Sequence, residues 1–309
     1  MVPRAEPHSY YGQPVLKRPV WKPEVPFYFF AGGLAGASAG LAFAAGVSGN
    51  RELERRAWRN ALVALAVSPP LLISDLGRPE RFLNMLRVFK VSSPMSVGSW
   101  ILAMYGAATS VAAGSELAGL APRVGRAAKL PAALLGLPLA TYTAGLLSNT
   151  AVPVWHEGRM ILPFVFAGGS AASAGATATI VTPPRYAGPA RRLAVGGAAV
   201  AVGSALVMEK ALGELGEPYH TGTAGTLSRT AGALSLAGAA LIAAGGRRSR
   251  AAAIAGGAVL TAGIVAERWA VFRAGFQSVA DPKYTVGPQR ARVERGETRG
   301  AARKACTSS

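Results

Sequence analysis

The chain has 309 residues, half of them apolar, with a mean hydropathy of +0.29 and a formal charge of +18. That charge does not mark a nucleic-acid binder. The bases cluster at the ends of apolar runs (Arg55/Arg56/Arg59, Arg191/Arg192, Arg247/Arg248/Arg250) without aromatic–basic interleaving, so the expected partner is a lipid bilayer and not a nucleic acid. A single cysteine, Cys306, leaves no internal disulfide and no thiolate-held iron–sulfur cluster in this chain.

In chain order, residues 1–24 form a polar, Pro-rich tail, and the apolar run that follows is long enough to stay in the membrane, so no cleavable signal peptide is expected. About 20 apolar residues in a helix rising about 1.5 Å each cross the hydrocarbon. By that measure spans are predicted at 25–47, 57–76, 96–116, 130–149, 159–181, 191–212, 226–245 and 250–272, the second carrying Pro69-Pro70 and the sixth Glu209. In lipid every backbone polar group must be bonded within its element, so the fold class is an all-α integral membrane protein, a bundle of about eight transmembrane helices. The transmembrane domain is 25–274, and 275–309 reads as a basic, disordered tail. Gly32, Gly36 and Gly40 recur at four-residue spacing, the pattern by which helix backbones approach closely in lipid; Gly168-Gly169-Ser170 with Gly175, and Gly256-Gly257 with Gly263, are similar. No internal repeat is evident.

Between the second and third spans, residues 78–90 set Phe82, Leu83, Leu86 and Phe89 among bases behind Pro79. This predicts an amphipathic helix lying on the membrane surface, a ledge suited to docking a partner. An even number of spans puts both termini on one side, the tail face, opposite a far face. Short tail-face loops carry seven bases and far-face loops thirteen, which places the tails outside; the basic run after Arg290 points the other way.

The three histidines, His8, His156 and His220, are not mid-span, so the facing imidazoles of a b-type haem are not available. Ionisable groups in or near spans are costly and therefore site candidates. Asp75, Glu209, and Glu267 with Arg268 all lie toward the tail-face ends of even-numbered spans, and so at one depth. Tyr142, Asn149 and the loop Pro153-Val-Trp155-His156-Glu157 approach the same face. Local pairing is the competing reading: Asp75 with Arg78, Glu267 with Arg268 or Arg273. Glu209 has only Lys210 beside it, on another helical face, and is the leading candidate for carrying protons.

The stretches Asp75-Leu-Gly-Arg-Pro79 with Arg81-Phe82, Ser93-Pro-Met-Ser96 with Gly98-Ser-Trp100, Tyr142-Thr-Ala-Gly-Leu-Leu147 and Pro153-Val-Trp155 follow one another along the chain. So do the opening Tyr10-Tyr-Gly, Trp21-Lys-Pro and Phe29-Phe-Ala-Gly-Gly-Leu-Ala-Gly36. In this order, over about residues 10–275, the sequence resembles the NrfD/PsrC family of polysulfide-reductase membrane subunits. The resemblance implies an eight-helix anchor in the cytoplasmic membrane of a prokaryote that exchanges electrons with a quinone, menaquinone or ubiquinone, without haem or iron–sulfur cluster of its own. It implies a four-cluster ferredoxin-like iron–sulfur subunit as partner, wired to a molybdopterin catalytic subunit of formate dehydrogenase or polysulfide/thiosulfate reductase type. In the family a tyrosine on the fourth helix hydrogen-bonds the quinone ring, and Tyr142 matches it; Trp100 and His156 are the further candidate quinone contacts. Some members also use a histidine and an asparagine on the first helix, and residues 25–47 contain neither.

The residues agree with that implication on separate grounds. A quinone exchanging electrons with a peripheral cluster belongs near one face, and its two protons call for carboxylates leading there: Glu209, Asp75 and Glu267 form the expected proton path. A transporter would instead bind at the midplane beside broken helices, for which Pro69-Pro70 is the one hint. A structural anchor without quinone chemistry is the third reading.

Overall fold

The computed structural model describes residues 15–294 and 296; His8, the Tyr10-Tyr-Gly motif, Cys306 and the end of the basic tail lie outside them. Among the described residues, eight helices are long and apolar enough to cross a membrane. They are α1 (Glu24–Val47), α2 (Arg51–Ser74), α3 (Pro94–Ala118), α4 (Pro122–Ser148), then, after a short α5 (Pro153–Glu157), α6 (Leu162–Val181), α7 (Gly188–Leu212), α8 (Gly222–Gly245) and α9 (Arg250–Ala280); a surface helix α10 (Lys283–Glu294) follows. The chain is an all-α multi-pass membrane protein, as its hydropathy predicts.

Local chemistry sets the helix ends. Asn50 caps α2, its side-chain oxygen accepting from Leu53 N at 3.2 Å, with Glu52 and Glu54 in the first turn. Ser93 caps α3 ahead of Pro94, and Gly119 closes that helix at φ 72°, where a side chain would be strained. Arg250 donates to Thr182 O at 2.7 Å and to Thr179 O at 3.3 Å, satisfying carbonyls that the end of α6 leaves open.

The spans pack as two four-helix rings. In the first, α1 meets α2, α2 meets α3, α3 meets α4, and α4 returns to α1; in the second, α6 to α9 close in the same order. The rings join along α1 and α6, and α6 is the most enclosed span. Small residues make the seams. A Cβ on Gly36 would collide with the Gly136 carbonyl, one on Gly33 with Ser170, one on Gly168 with Ala201, and one on Gly238 with Leu260. Of the three spaced glycines of α1, only Gly36 serves this close approach. Gly32 lies under the Tyr28 ring and Gly40 has open space beside it.

Three further expectations need correction. The 78–90 segment forms a surface 3₁₀ helix, with Met85 and Leu86 half-buried, that stops at Leu86 because Ser96 Oγ bonds Val88 O at 3.0 Å and Lys90 N at 3.1 Å and pulls the chain into α3. Pro69 and Pro70 do not break α2, which runs through both to Ser74. The region after 274 is not a free tail over its first twenty residues. α9 continues to Ala280 because Phe272 and Phe276 stack beside the buried Trp155, whose indole donates to Val271 O at 2.8 Å. α10 is then held by Lys283 to Glu217 at 2.7 Å and Arg292 to Glu157 at 3.4 Å. The hydrogen bond to Glu217 holds the Lys283 ammonium above its ordinary pKa.

The N-terminal segment is likewise anchored. Trp21 stacks on Trp155 at 5.4 Å, and Lys22 N donates to Asp75 Oδ1 at 2.8 Å. Leu16, Trp21, Thr150 and Val279 line one cleft, so the segment before α1, the α4–α5 loop and the end of α9 share a face.

Candidate functional site

Two polar centres lie toward the tail face, one in each ring. The first is a pair of phenols. Tyr28, in the second turn of α1, is 1% exposed, and its hydroxyl is hydrogen-bonded to that of Tyr142 on α4. Tyr142 is seated by Gly98 of α3, where any Cβ would strike its ring, and remains partly exposed. Two phenols carry two protons, and the bond between them uses one. Neither hydroxyl has another partner among the described residues, so one O–H remains to donate to an acceptor such as a carbonyl.

Next to the seat of Tyr142, Ser99 lines an apolar cleft of about 410 Å³ between α2, α3 and the 3₁₀ helix, walled by Leu65, Pro69, Leu72, Phe82 and Leu102. Its hydrocarbon walls suit an apolar chain.

The second centre is a cavity of about 340 Å³ among α6, α7, α8 and α9. Glu209 and Glu267 both line it, with Tyr219, His220, Ser228 and Arg229. Glu209 Oε1 accepts from Ser228 Oγ at 3.1 Å, and its Oε2 lies 3.7 Å from His220 Nε2. Glu267 is 9% exposed; its Oε1 lies 3.4 Å from Arg268 Nη1, and its Oε2 has no partner. Arg268 is 1% exposed. It donates to Phe166 O at 2.9 Å and lies over the Phe166 ring at 3.9 Å. Phe166 in turn meets Phe29 edge-on, at 5.8 Å, next to Tyr28. An aromatic contact thus links the two rings, running from the arginine beside Glu267 to the residue after Tyr28.

The structure brings Glu209 and Glu267 together and gives Asp75 other surroundings. Asp75 ends α2 and bonds the Lys22 backbone, while Lys22 Nζ bonds Ser74 O at 2.9 Å; among the described residues Asp75 forms no ion pair with Arg78. Its observed contacts tether the N-terminal segment. Tyr142, Trp100 and His156 are not gathered around one cavity. Trp100 meets Phe89 edge-on at 6.1 Å, and its buried indole N–H is without an acceptor. His156 is exposed, its Nδ1 3.1 Å from Ser148 O, in a cleft shared with Tyr284 and Arg292. Sequence reasoning passed over Tyr28, Tyr219 and Ser228. The usable signal for Tyr28 was its place: a hydroxyl near the tail-face end of its span, as in Tyr142. Among the described residues no three His, Cys, Asp or Glu side chains gather to hold a metal ion.

A family model described as polysulphide reductase, NrfD, matches residues 14–208. The match takes in Tyr28, Asp75, Trp100, Tyr142 and His156 and stops one residue before Glu209. No curated protein matches the chain.

Proposed function

The chain belongs to the polysulphide reductase NrfD family, and on that premise we propose that it is the quinone-reactive membrane anchor of a multi-subunit oxidoreductase. The observation that carries the reading is the Tyr28–Tyr142 pair: two hydrogen-bonded phenols, one buried and one partly exposed, with one proton to spare; Gly98, which seats Tyr142, is followed by Ser99 of the apolar cleft. A quinone carbonyl accepts what the pair can donate, and the isoprenoid chain takes the cleft between α2 and α3.

Reducing a quinone to its quinol takes two electrons and two protons, and the reverse reaction releases them. The electrons pass to or from a ferredoxin-like iron–sulfur subunit docked on the tail face, over residues 78–100 and 153–159, and through it a molybdopterin catalytic subunit. Exposed Leu83, Phe89, Val91 and Met95 on that ledge supply the apolar contact such docking needs. Tyr28 and Tyr142 hold the ring and donate one hydrogen bond. Glu209 and Glu267 hold titratable protons; the partnerless Glu267 oxygen and the cavity beside it favour that role over mere ion pairing. The membrane is then the cytoplasmic membrane of a prokaryote.

The test uses the assembled complex. Tyr142→Phe and Tyr28→Phe each keep the ring and remove the hydroxyl. Losing one neutral hydrogen bond of about 0.5–1.5 kcal/mol should slow quinone turnover roughly 2- to 13-fold. Reduction of the partner's clusters by its own substrate should not change. Wild-type quinone kinetics in both variants would remove the phenol pair from the reaction.

A further inference from the structure

The far face of the second ring holds a different kind of site. Between α7 and α8 a cleft of about 1070 Å³ is lined by Arg185, Arg191, Arg192 and Arg247, with Val195 and Ile242 on its walls. Arg191 is committed to the scaffold: its Nη1 donates to Pro184 O at 2.8 Å and to Gly246 O at 3.4 Å, bracing the loops before α7 and after α8. Arg185 lies over the Tyr186 ring at 4.6 Å. Arg192 and Arg247 are exposed, and among the described residues neither forms an ion pair.

No acid is available nearby in sequence. Residues 158–208 and 218–266 contain no Asp or Glu. Four guanidinium groups around one cleft repel one another, and an anion between them removes that cost. The amino end of α7 opens at Gly188 on the same cleft, adding backbone N–H groups that favour negative charge. Guanidinium groups recognise phosphate in particular, because their forked donors match two of its oxygens.

The walls identify what carries the phosphate. Above the buried Ile242 and the half-buried Val195, the flanks of α7 and α8 expose Val200 and Leu241. The cleft is far larger than a free phosphate fills. The far-face loops also carry the larger share of bases, which marks the leaflet side where anionic lipids concentrate. From these features we infer that the cleft binds the phosphodiester headgroup of an anionic phospholipid, with the acyl chains descending along α7 and α8.

The experiment uses the full chain, purified with any subunits that accompany it and stripped of lipid. Phosphatidylglycerol, diphosphatidylglycerol, phosphatidylcholine and inorganic phosphate are added separately, and bound lipid is counted by native mass spectrometry while melting is followed. The two anionic lipids should bind and raise the melting temperature, and the effect should weaken as salt rises. Phosphatidylcholine and inorganic phosphate should do neither. In Arg192→Gln/Arg247→Gln, anionic-lipid affinity should fall roughly twenty- to thirtyfold, at about 1 kcal/mol per arginine. The matched far-face change in the first ring, Arg123→Gln/Arg126→Gln, should leave it unchanged. Equal binding of phosphatidylcholine, or full stabilisation by inorganic phosphate alone, would overturn the inference on the unaltered protein, whatever the variants do.

Discussion

The two rings close in the same order, yet they treat charge in opposite ways. At its far face the first ring ties a charge knot: the enclosed Lys129 Nζ lies 2.6 Å from both Glu54 and Glu116, the exposed Arg51 reaches Glu54 at 2.9 Å, and Arg56 pairs with Glu52 at 3.0 Å at the surface. The second ring's far face carries Arg185, Arg191, Arg192, Arg247, Arg248 and Arg250 with no acid among them. At the tail face the second ring again holds the open charge. There the first ring is uncharged at its centre, with two phenols, and the second holds two carboxyl groups and a buried arginine. In a bilayer, charge that is fully paired serves cohesion, and charge left open is available to a ligand or a proton. The first ring thus uses charge for cohesion at its far face, and the second leaves charge open at both faces.

The sharpest way to break this comparison is at the knot. Lys129→Ala leaves Glu116 without a cation and Glu54, 1% exposed, with only the solvent-exposed Arg51. The expected loss is about 3–5 kcal/mol, read as a collapse in yield of folded subunit and a lower melting temperature in detergent. Adding Glu54→Gln and Glu116→Gln should recover much of it, because the repulsion goes with the charges. If Lys129→Ala melts like the wild type, the first ring is not held by this knot.

A smaller effect is expected at the α1–α4 seam. Gly36→Leu drives a side chain into the Gly136 backbone and should cost about 1–3 kcal/mol, whereas Gly40→Ala, with open space around it, should stay within about 0.5 kcal/mol. The pair separates close approach from mere glycine content. Equal melting of the two variants would discard the seam as described.

The mildest effect concerns the acid cavity and should spare stability altogether. Glu209→Gln keeps the volume and an oxygen that Ser228 can still bond. Quinone-coupled turnover should fall, on the order of tenfold for a group that relays protons, with normal cluster reduction by the partner's substrate. A variant that turns over normally would make Glu209 a spectator.

Much of this was legible in the sequence, and the illegible part has a physical reason. Spans follow from hydropathy because lipid imposes length and composition on each helix separately. Which spans close a ring depends on a few small residues meeting across a seam, and spacing alone does not distinguish Gly36, which meets a backbone, from Gly40, which meets nothing. Glu209 and Glu267 were conspicuous because a charge in a span is costly wherever it lies. Tyr28 was not, since a tyrosine within Pro26-Phe27-Tyr28-Phe29-Phe30 reads as part of an aromatic interface belt. Asp75 stood out for its charge, but its partner is a backbone N–H of the N-terminal segment, 53 residues away, and no pattern announces such a contact.

The ring arrangement also bears on how the protein is made. Every contact that closes the first ring lies within α1 to α4, and the Gly36–Gly136 seam completes it. A ribosome delivers these four spans before α6 exists, so the first half can shut while the second is still being synthesised. α6 must then dock against an already formed surface, through Ser170 on Gly33 and Phe166 on Phe29. A defect in α1 would therefore be met twice during biogenesis, once when its own ring closes and again when the later half arrives, and a defect in α3 or α8 only once.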